Sequence, residues 1–378
     1  MTTRLVDIAE KAGVSASAVS RVLRNPGKKI DISQDARDRI VRIAQELNYR
    51  PHAGARSMKN KKFDAVGVLA NPIGGCDGAL IQLLPYHRAL IQQLSKHQLN
   101  VIIMSTGGDT LPEQDIPSQM TDRRFDGLVV TVDVNDKLEQ AINALDIPIL
   151  WLNSQKRRGM NTICPDDRML GYLNALALLA IGHRKIAVCN ASQCQSFDQH
   201  RLEGFCHAHK QFGITPDPTV KQNVQRHEHT QQFQTLMAQQ DDPYTAYVGM
   251  NPMISECLGA YMLRHRCFPG QDMALVSMDR GEWEYLYPCI SGMQVPGVTL
   301  GHVAADRFDS IIKKRRTGKD HYDIAPQWHG GETLTPGNDS HEARVLCDEL
   351  MQPDADILKV LKHWIDPNWI TQDATQHR

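Results

Sequence analysis

Three groupings of side chains in this 378-residue chain could do chemistry. His227-Glu228-His229, and Cys206-His207 with His209, are of metal-ligand type. Adjacent and alternate residues seldom converge on one ion without ligands from elsewhere, so no metal site is expected. Ser15, Ala16, Ser17, Ser20 and Arg21 place hydroxyls, a small side chain and one guanidinium at short spacing, a set suited to phosphates and base edges in a DNA groove. The chain contains no G-x-G-x-x-G, G-x-x-x-x-G-K-[ST], G-x-S-x-G or H-E-x-x-H. Dinucleotide, nucleoside triphosphate, serine-nucleophile and catalytic-zinc chemistry are therefore unmarked, and neither an enzyme nor a cofactor is expected.

The elements that must carry Arg21 follow from periodicity. Leu5, Ile8, Ala9 and Ala12 fall at i, i+3, i+4 and i+7, one apolar stripe of a helix that Gly13 can end. Ser15 is a good N-cap for ASAVSRVL. Ala18, Val19, Val22 and Leu23 would face inward there, and Ala16, Ser17, Ser20 and Arg21 outward. A loop with Asn25, Pro26 and Gly27 leads to Ser33, which caps a third helix with its stripe at Ile40, Ile43, Ala44 and Leu47. Two helices across a Gly-containing turn, closed by a third, make a helix-turn-helix, whose second helix enters the major groove. Spacing alone leaves a partnerless three-helix bundle open. Charge argues against it: residues 1–62 hold 14 Lys and Arg against 6 Asp and Glu, a formal +8, while the rest of the chain carries −9. A basic head of this kind suggests a polyanion partner.

LVDIAEKAGVSASAVSRVL, followed by ISQDARDRIVRIAQELNYRPHAGARSMK, resembles the LacI (lactose repressor) family. The departures are Ala18, where threonine is usual, and a slightly longer loop before Ser33. The resemblance implies a headpiece over 1–50, a hinge over 51–62, a homodimer and a near-palindromic double-stranded DNA operator. By residues alone, HAGARSMKNKK is too short and polar to fold independently, and Gly54 costs a helix about 1 kcal/mol relative to alanine. A plain basic linker is one reading. The resemblance implies another: a hinge helix that orders on DNA, with Met58 in the position of the family's minor-groove leucine and Arg56 and Lys59 beside the flanking phosphates.

From Phe63 the pattern changes. AVGVLANP reads as a buried strand, and NVIIMST, DGLVVTVDV, PILWLNS, KIAVCNA, TAYVGM and MALVSMD read as further strands. PYHRALIQQLSKHQ, RMLGYLNALALLAIGH, RLEGFCHAHKQFG and MISECLGAYMLRHR read as helices between them. Alternation of this kind predicts an α/β, Rossmann-like domain with parallel sheets in two lobes over 63–339, holding ligand at the carboxyl ends of strands. Gly182 to Ala187 (GHRKIA), R-x-x-G-F from Arg201 to Phe205, and Ala274 to Asp279 (ALVSMD) resemble the family's ligand-binding core, which is similar to periplasmic sugar-binding proteins. Carried over position by position, the resemblance implies ligand contacts at Asn71, Asn153, Arg201, Asn251 and Asp279. Amides, a carboxylate and a guanidinium suit a small polyhydroxylated effector, by default a carbohydrate. The plainer alternative for each residue is a strand-end group that caps a neighbouring helix. Pro252 and Arg280 hint at an effector outside the common hexoses, such as an acidic one.

Beyond the family's usual end, residues 340–378 form a C-terminal extension. Ile357, Leu358, Leu361, Trp364 and Ile365 would share one helical face, docked on the chain's own core or at a dimer interface. Composition is that of an ordinary globular protein, with 41% hydrophobic and 22% charged residues and a net charge of −1. No signal peptide is evident at the N-terminus, and the uncharged stretch from Leu286 to Ala305 is broken by Pro288, Gly292, Pro296, Gly297 and Gly301, so a membrane role is not expected. Nine cysteines without a C-x-x-C pair fit reduced thiols and a cytoplasmic location. The expected function is a ligand-controlled transcriptional repressor. The alternative is an α/β small-molecule-binding protein or enzyme with an accessory basic N-terminal module.

Overall fold

The computed structural model describes residues 3–24, 32–49, 62–70, 77–107, 113–122, 124–154, 161–191, 196–216, 222–224, 243–280, 289–313 and 321–369. The chain divides into two compact units, Met1–Phe63 and Asp64–Arg378.

The described residues of the first unit form three helices: α1 (Leu5–Ala12), α2 (Ala16–Arg24) and α3 (Gln34–Glu46). Gly13 ends α1 at φ +65°, a left-handed conformation that glycine adopts without a Cβ penalty. Ser15 Oγ accepts the Ala18 N–H at 3.2 Å and Ser33 Oγ that of Ala36 at 3.4 Å, so both expected caps are made. The apolar stripes meet in one core of Ile8, Ala9, Ala12, Val19, Val22, Ile40, Ile43 and Ala44, with Leu5, Leu23 and Leu47 packed at its rim.

The second unit is built on two six-stranded sheets. The first is ordered β11-β5-β4-β3-β1-β2 and is parallel throughout. It consists of β1 (Ala65–Leu69), β2 (Asn100–Met104), β3 (Leu128–Val130), β4 (Ile149–Leu152), β5 (Thr162–Pro165) and β11 (His321–Ile324). The other is ordered β12-β10-β9-β8-β6-β7, comprising β6 (Ile186–Ala191), β7 (Gln222–Val224), β8 (Ala246–Gly249), β9 (Ala274–Ser277), β10 (Ser291–Gln294) and an antiparallel edge, β12 (Gln327–His329). On the first lobe, α4 (Asp77–Lys96) packs against α10 (Gly297–Ile312). The shorter α5 (Ser118–Thr121) and α6 (Asp136–Asn143) pack on the same lobe. The second lobe carries α7 (Asp167–Ala180), α8 (Ser196–Gln211) and α9 (Pro252–Arg264). Strands buried on both faces favour apolar side chains throughout, and β1, β3, β8 and β9 are buried along their whole length, with the one polar residue, Ser277, hydrogen-bonded to Ser255 and the Asp279 carbonyl.

DRMLGYLNALALLA is apolar almost all round, a pattern that demands cover on every side. All of α7 except Arg168 is buried. The C-terminal extension supplies part of that cover: α11 (His341–Leu350) and α12 (Ile357–Val360) put Leu346, Leu350, Ile357 and Leu361 into the same core. Beyond α12 the chain continues in turns, yet Trp364 stacks on Phe212 at 5.4 Å between ring centroids, and Trp369 stacks on His207 at 3.9 Å. Of the two expected dockings, this is the one on the chain's own core. Among the described residues, no helix is long and apolar enough to cross a membrane.

His183, in the GHRKIA segment, is buried with Nδ1 2.8 Å from Thr245 Oγ1 and Nε2 2.8 Å from the Thr335 carbonyl. The neutral ring satisfies both contacts, donating from Nε2 and accepting at Nδ1. Burial lowers its pKa to about 4, against a weaker raising effect of the Thr335 carbonyl. An unfolded chain takes up the proton near pH 6.5, the folded chain only near 4, so stability is fully present above pH 6.5 and falls as pH drops through that window. Urea unfolding at pH 7.5 and pH 4.5 should differ by about 2 kcal/mol from this group. A His183→Asn variant should lose that share of the pH dependence.

Candidate functional site

On the first unit, Ser17 and Arg21 are exposed one turn apart on α2. Ser15 is exposed too, but its hydroxyl serves the cap and lies 2.9 Å from Ser17 Oγ. Ser20 is half-buried. Ala16 departs from expectation: three residues before Val19 and so on the edge of the same stripe, it packs against the headpiece core instead of facing out. The hinge residues Arg56, Met58 and Lys59 lie outside the described residues, as do Asn71 and His227 to His229.

On the second unit, Asn153, Asn251 and Asp279 follow the carboxyl ends of β4, β8 and β9, and Arg201 reaches toward them from α8. In each sheet the strand order reverses at one point, between β1 and β3 in the first lobe and between β6 and β8 in the second. Such switch points are where α/β sheets hold ligands. Arg201 is at the second of them. Its Nη1 donates to the Met250 carbonyl just past β8 at 2.8 Å, and its Nε to Asp167 Oδ1 at 2.9 Å. Nη2 lies 3.8 Å from Asp279 Oδ2, and Asp279 Oδ1 accepts the Val295 N–H at 3.2 Å. The side chains of Asp167, Arg201 and Asp279 are 0%, 4% and 8% exposed, so this is a buried charge cluster. Burial pulls the Arg201 pKa down, but the carboxylates of Asp167, Asp279 and Asp198 outweigh it and leave it raised.

The structure thus brings Arg201 and Asp279 together, with Asn251 next to the Met250 carbonyl. Asn251 has a structural duty as well: its Oδ1 accepts the Ile254 N–H at 3.0 Å as the N-cap of α9. Pro252 then occupies the first position of that helix, where a missing N–H costs nothing, so its hint of an unusual effector falls away. Arg280 donates to Cys289 Sγ at 3.1 Å. Asn153 ends β4 in the other lobe at φ +61°, its N–H on the Ile163 carbonyl. At the first-lobe switch point, His87 Nε2 lies 2.9 Å from Thr131 Oγ1, which donates to the Leu69 carbonyl. Sequence reasoning missed that pair and Asp167. The acids of Pro165-Asp166-Asp167, set before an apolar helix, were the available signal for the latter. Of the metal-type residues in α8, Cys206 is exposed, His207 turns to Asp366 and His209 Nδ1 donates to the Phe205 carbonyl at 2.9 Å. Among the described residues no three His, Cys, Asp or Glu converge as a metal site.

A family model described as "Bacterial regulatory proteins, lacI family" matches residues 4–52, the span of all three headpiece helices. One described as "Periplasmic binding proteins and sugar binding domain of LacI family" matches residues 86–266. The chain belongs to the LacI family. The ribose operon repressor of Haemophilus influenzae is 28% identical over 317 residues, 81% of this chain and 91% of that protein. The HTH-type transcriptional repressor PurR of Edwardsiella ictaluri is 25% identical, covering 82% of this chain and 90% of that one. In fold, this LacI-family chain matches a lac repressor dimer bound to operator and the anti-inducer ONPF with a TM-score of 0.76 at 20% identity, over 88% of this chain and 99% of that chain. It is a DNA-binding transcriptional regulator with a helix-turn-helix headpiece and a two-lobed α/β domain.

Proposed function

We propose that this LacI-family regulator is a repressor that binds a near-palindromic operator as a homodimer, and that a small polyhydroxylated effector, a sugar or sugar derivative, sets its operator affinity from between the two lobes. The observation that carries the DNA half is the exposed Ser17–Arg21 face of a complete helix-turn-helix, within a segment of charge +8. Arg21 takes a base or phosphate, with Ser15, Ser17 and Ser20 beside it. Arg56, Lys59 and Met58 serve as phosphate clamps and minor-groove wedge. The effector half rests on Asp279 after β9 and on Arg201, which reaches it from α8, with Asn71, Asn153 and Asn251 as further contacts. A LacI-family regulator from Enterococcus faecium, with a TM-score of 0.61, was solved with ribose bound. The protein works in the cytoplasm, where its operator is, and does so as a regulator without enzymatic turnover.

Selection of bound duplexes from a random pool tests this reading, using the full-length protein and a protein starting at Phe63. A near-palindrome enriched by the full-length form alone supports it, and enrichment of no motif by either form sinks it. With that operator in hand, Arg21→Ala should weaken specific binding about tenfold to a hundredfold without changing the melting temperature, since the side chain is exposed. Unchanged affinity would remove Arg21 from the interface.

A further inference from the structure

Among the described residues, three chain segments join the two lobes. The first runs from β5 through Pro165 and Asp166 into α7, the second from β10 through Val295 and Pro296 into α10, and the third from β11 through Ala325 and Pro326 into β12. Each carries a proline, whose fixed φ restricts the backbone at the crossing. Val295 packs against the cores of both lobes.

One continuous set of polar contacts ties all three crossings together. The Asp166 N–H donates to the Ile324 carbonyl at 2.9 Å, joining the first crossing to the third. Asp167, the next residue, accepts from Arg201 Nε at 2.9 Å. Arg201 faces Asp279 at 3.8 Å, and Asp279 accepts the Val295 N–H of the second crossing at 3.2 Å. We propose that Asp279 and Arg201 are positioning residues of the interlobe hinge: they clamp the first and second crossings, and through Asp166 the third, into one mechanical unit. The proposal deepens the effector reading above and rests on it in one respect: a ligand hydroxyl that bonds Asp279 or Arg201 enters the clamp itself. Effector binding and lobe movement then share atoms, with no relay needed between a site and a distant hinge. A single carboxylate that holds both a buried guanidinium and a hinge amide gives the unit two discrete arrangements, clamped and released, the kind of element an effector can bias.

Hydrogen exchange on the full-length protein tests the clamp without any effector. Asp279→Ala should raise exchange about tenfold in all three crossings, residues 162–167, 291–297 and 321–327, and leave strands 65–69 and 246–249 at the wild-type rate. Asp279→Asn keeps an oxygen for the Val295 amide but removes the charge facing Arg201. It should leave that amide within about twofold of wild type while still raising exchange at 162–167 and 321–327. A rise confined to 291–297 would reduce Asp279 to a local contact, and a uniform rise across both sheets would reduce it to a general stabiliser. Either result overturns the proposal. On the selected operator, Asp279→Ala should also weaken binding about fivefold with no effector added, because loosened lobes hold the headpieces less well spaced. Equal affinity would overturn the coupling to DNA. A wild type that selects no operator would sink the regulator reading, while the exchange pattern would still decide for or against the clamp.

Discussion

Arg201→Ala is expected to cost the 64–378 unit about 4 kcal/mol of stability, the scale of loss seen when a buried ion pair is stripped of one partner. Solvation sets that scale. Asp167 has no exposed side-chain surface and Asp279 only 8%, so neither carboxylate can turn to water when the guanidinium is gone. The Met250 carbonyl loses its donor at the same time. Arg201→Lys should recover little, because one ammonium cannot present a planar fork to Asp167, Met250 and Asp279 at once. Arg201→Met combined with Asp167→Leu removes one of the two stranded carboxylates and should recover only part of the loss, because Asp279 stays buried without the guanidinium it faces. Urea unfolding at pH 7.5 reads all three variants, and a loss under about 1 kcal/mol for Arg201→Ala would mean the site is wetter than its burial implies. An Arg201 variant that no longer responds to effector therefore says little about ligand contact until its folding has been measured.

The headpiece was almost wholly legible in the sequence because its signals are local. Three stripes at helical spacing and two serine caps lie within a few residues of what they specify. The one displaced residue, Ala16, sits where the buried stripe meets the exposed face. In the larger unit, the Val/Ile/Leu-rich strands β1, β2, β3, β4, β6, β8 and β9 were legible for the same reason. The strands β5, β7, β10, β11 and β12 were not. They are three or four residues long, β5 ends in proline, and β10 contains Gly292, where a Cβ would lie 2.1 Å from the Ser277 carbonyl oxygen. Apart from β7, which pairs with β6 within its own lobe, these strands flank the lobe crossings and owe their pairing to neighbours the crossings bring. DILKVLKHWI read as one helix, whereas only Ile357–Val360 is helical, and the remaining apolar residues reach the same core through turns. At the candidate site, the types of Arg201 and Asp279 could be carried over, but not what holds them. Asp167 and Val295 are 34 and 94 residues from Arg201, and only the packing of α7 on α8 and the path of the second crossing bring them to it.

That packing carries the second large effect. The glycine of the R-x-x-G-F segment reads in sequence as one motif with its arginine, and the structure gives it a separate physical reason. A Cβ on Gly204 would sit 2.0 Å from the Arg168 carbonyl oxygen, and one on Gly171 would sit 1.9 Å from that of Arg201, so α7 and α8 touch backbone to backbone at both points. Helix propensity alone predicts that Gly204→Ala stabilises α8 by about 1 kcal/mol. Steric overlap with main-chain atoms, which cannot rotate away, predicts the opposite sign, and it should win: a net loss of about 3 kcal/mol for Gly204→Ala, and about 4 kcal/mol or failure to fold for Gly204→Val. The sign of the Gly204→Ala change in urea unfolding therefore decides which effect governs the helix pair. Parting α7 from α8 also draws Arg201 away from Asp167, so the destabilised alanine variant should show raised exchange at residues 162–167. Stabilisation, by contrast, would mean the two helices part freely and that the three-residue spacing between Arg201 and Gly204 does not set where the guanidinium lies.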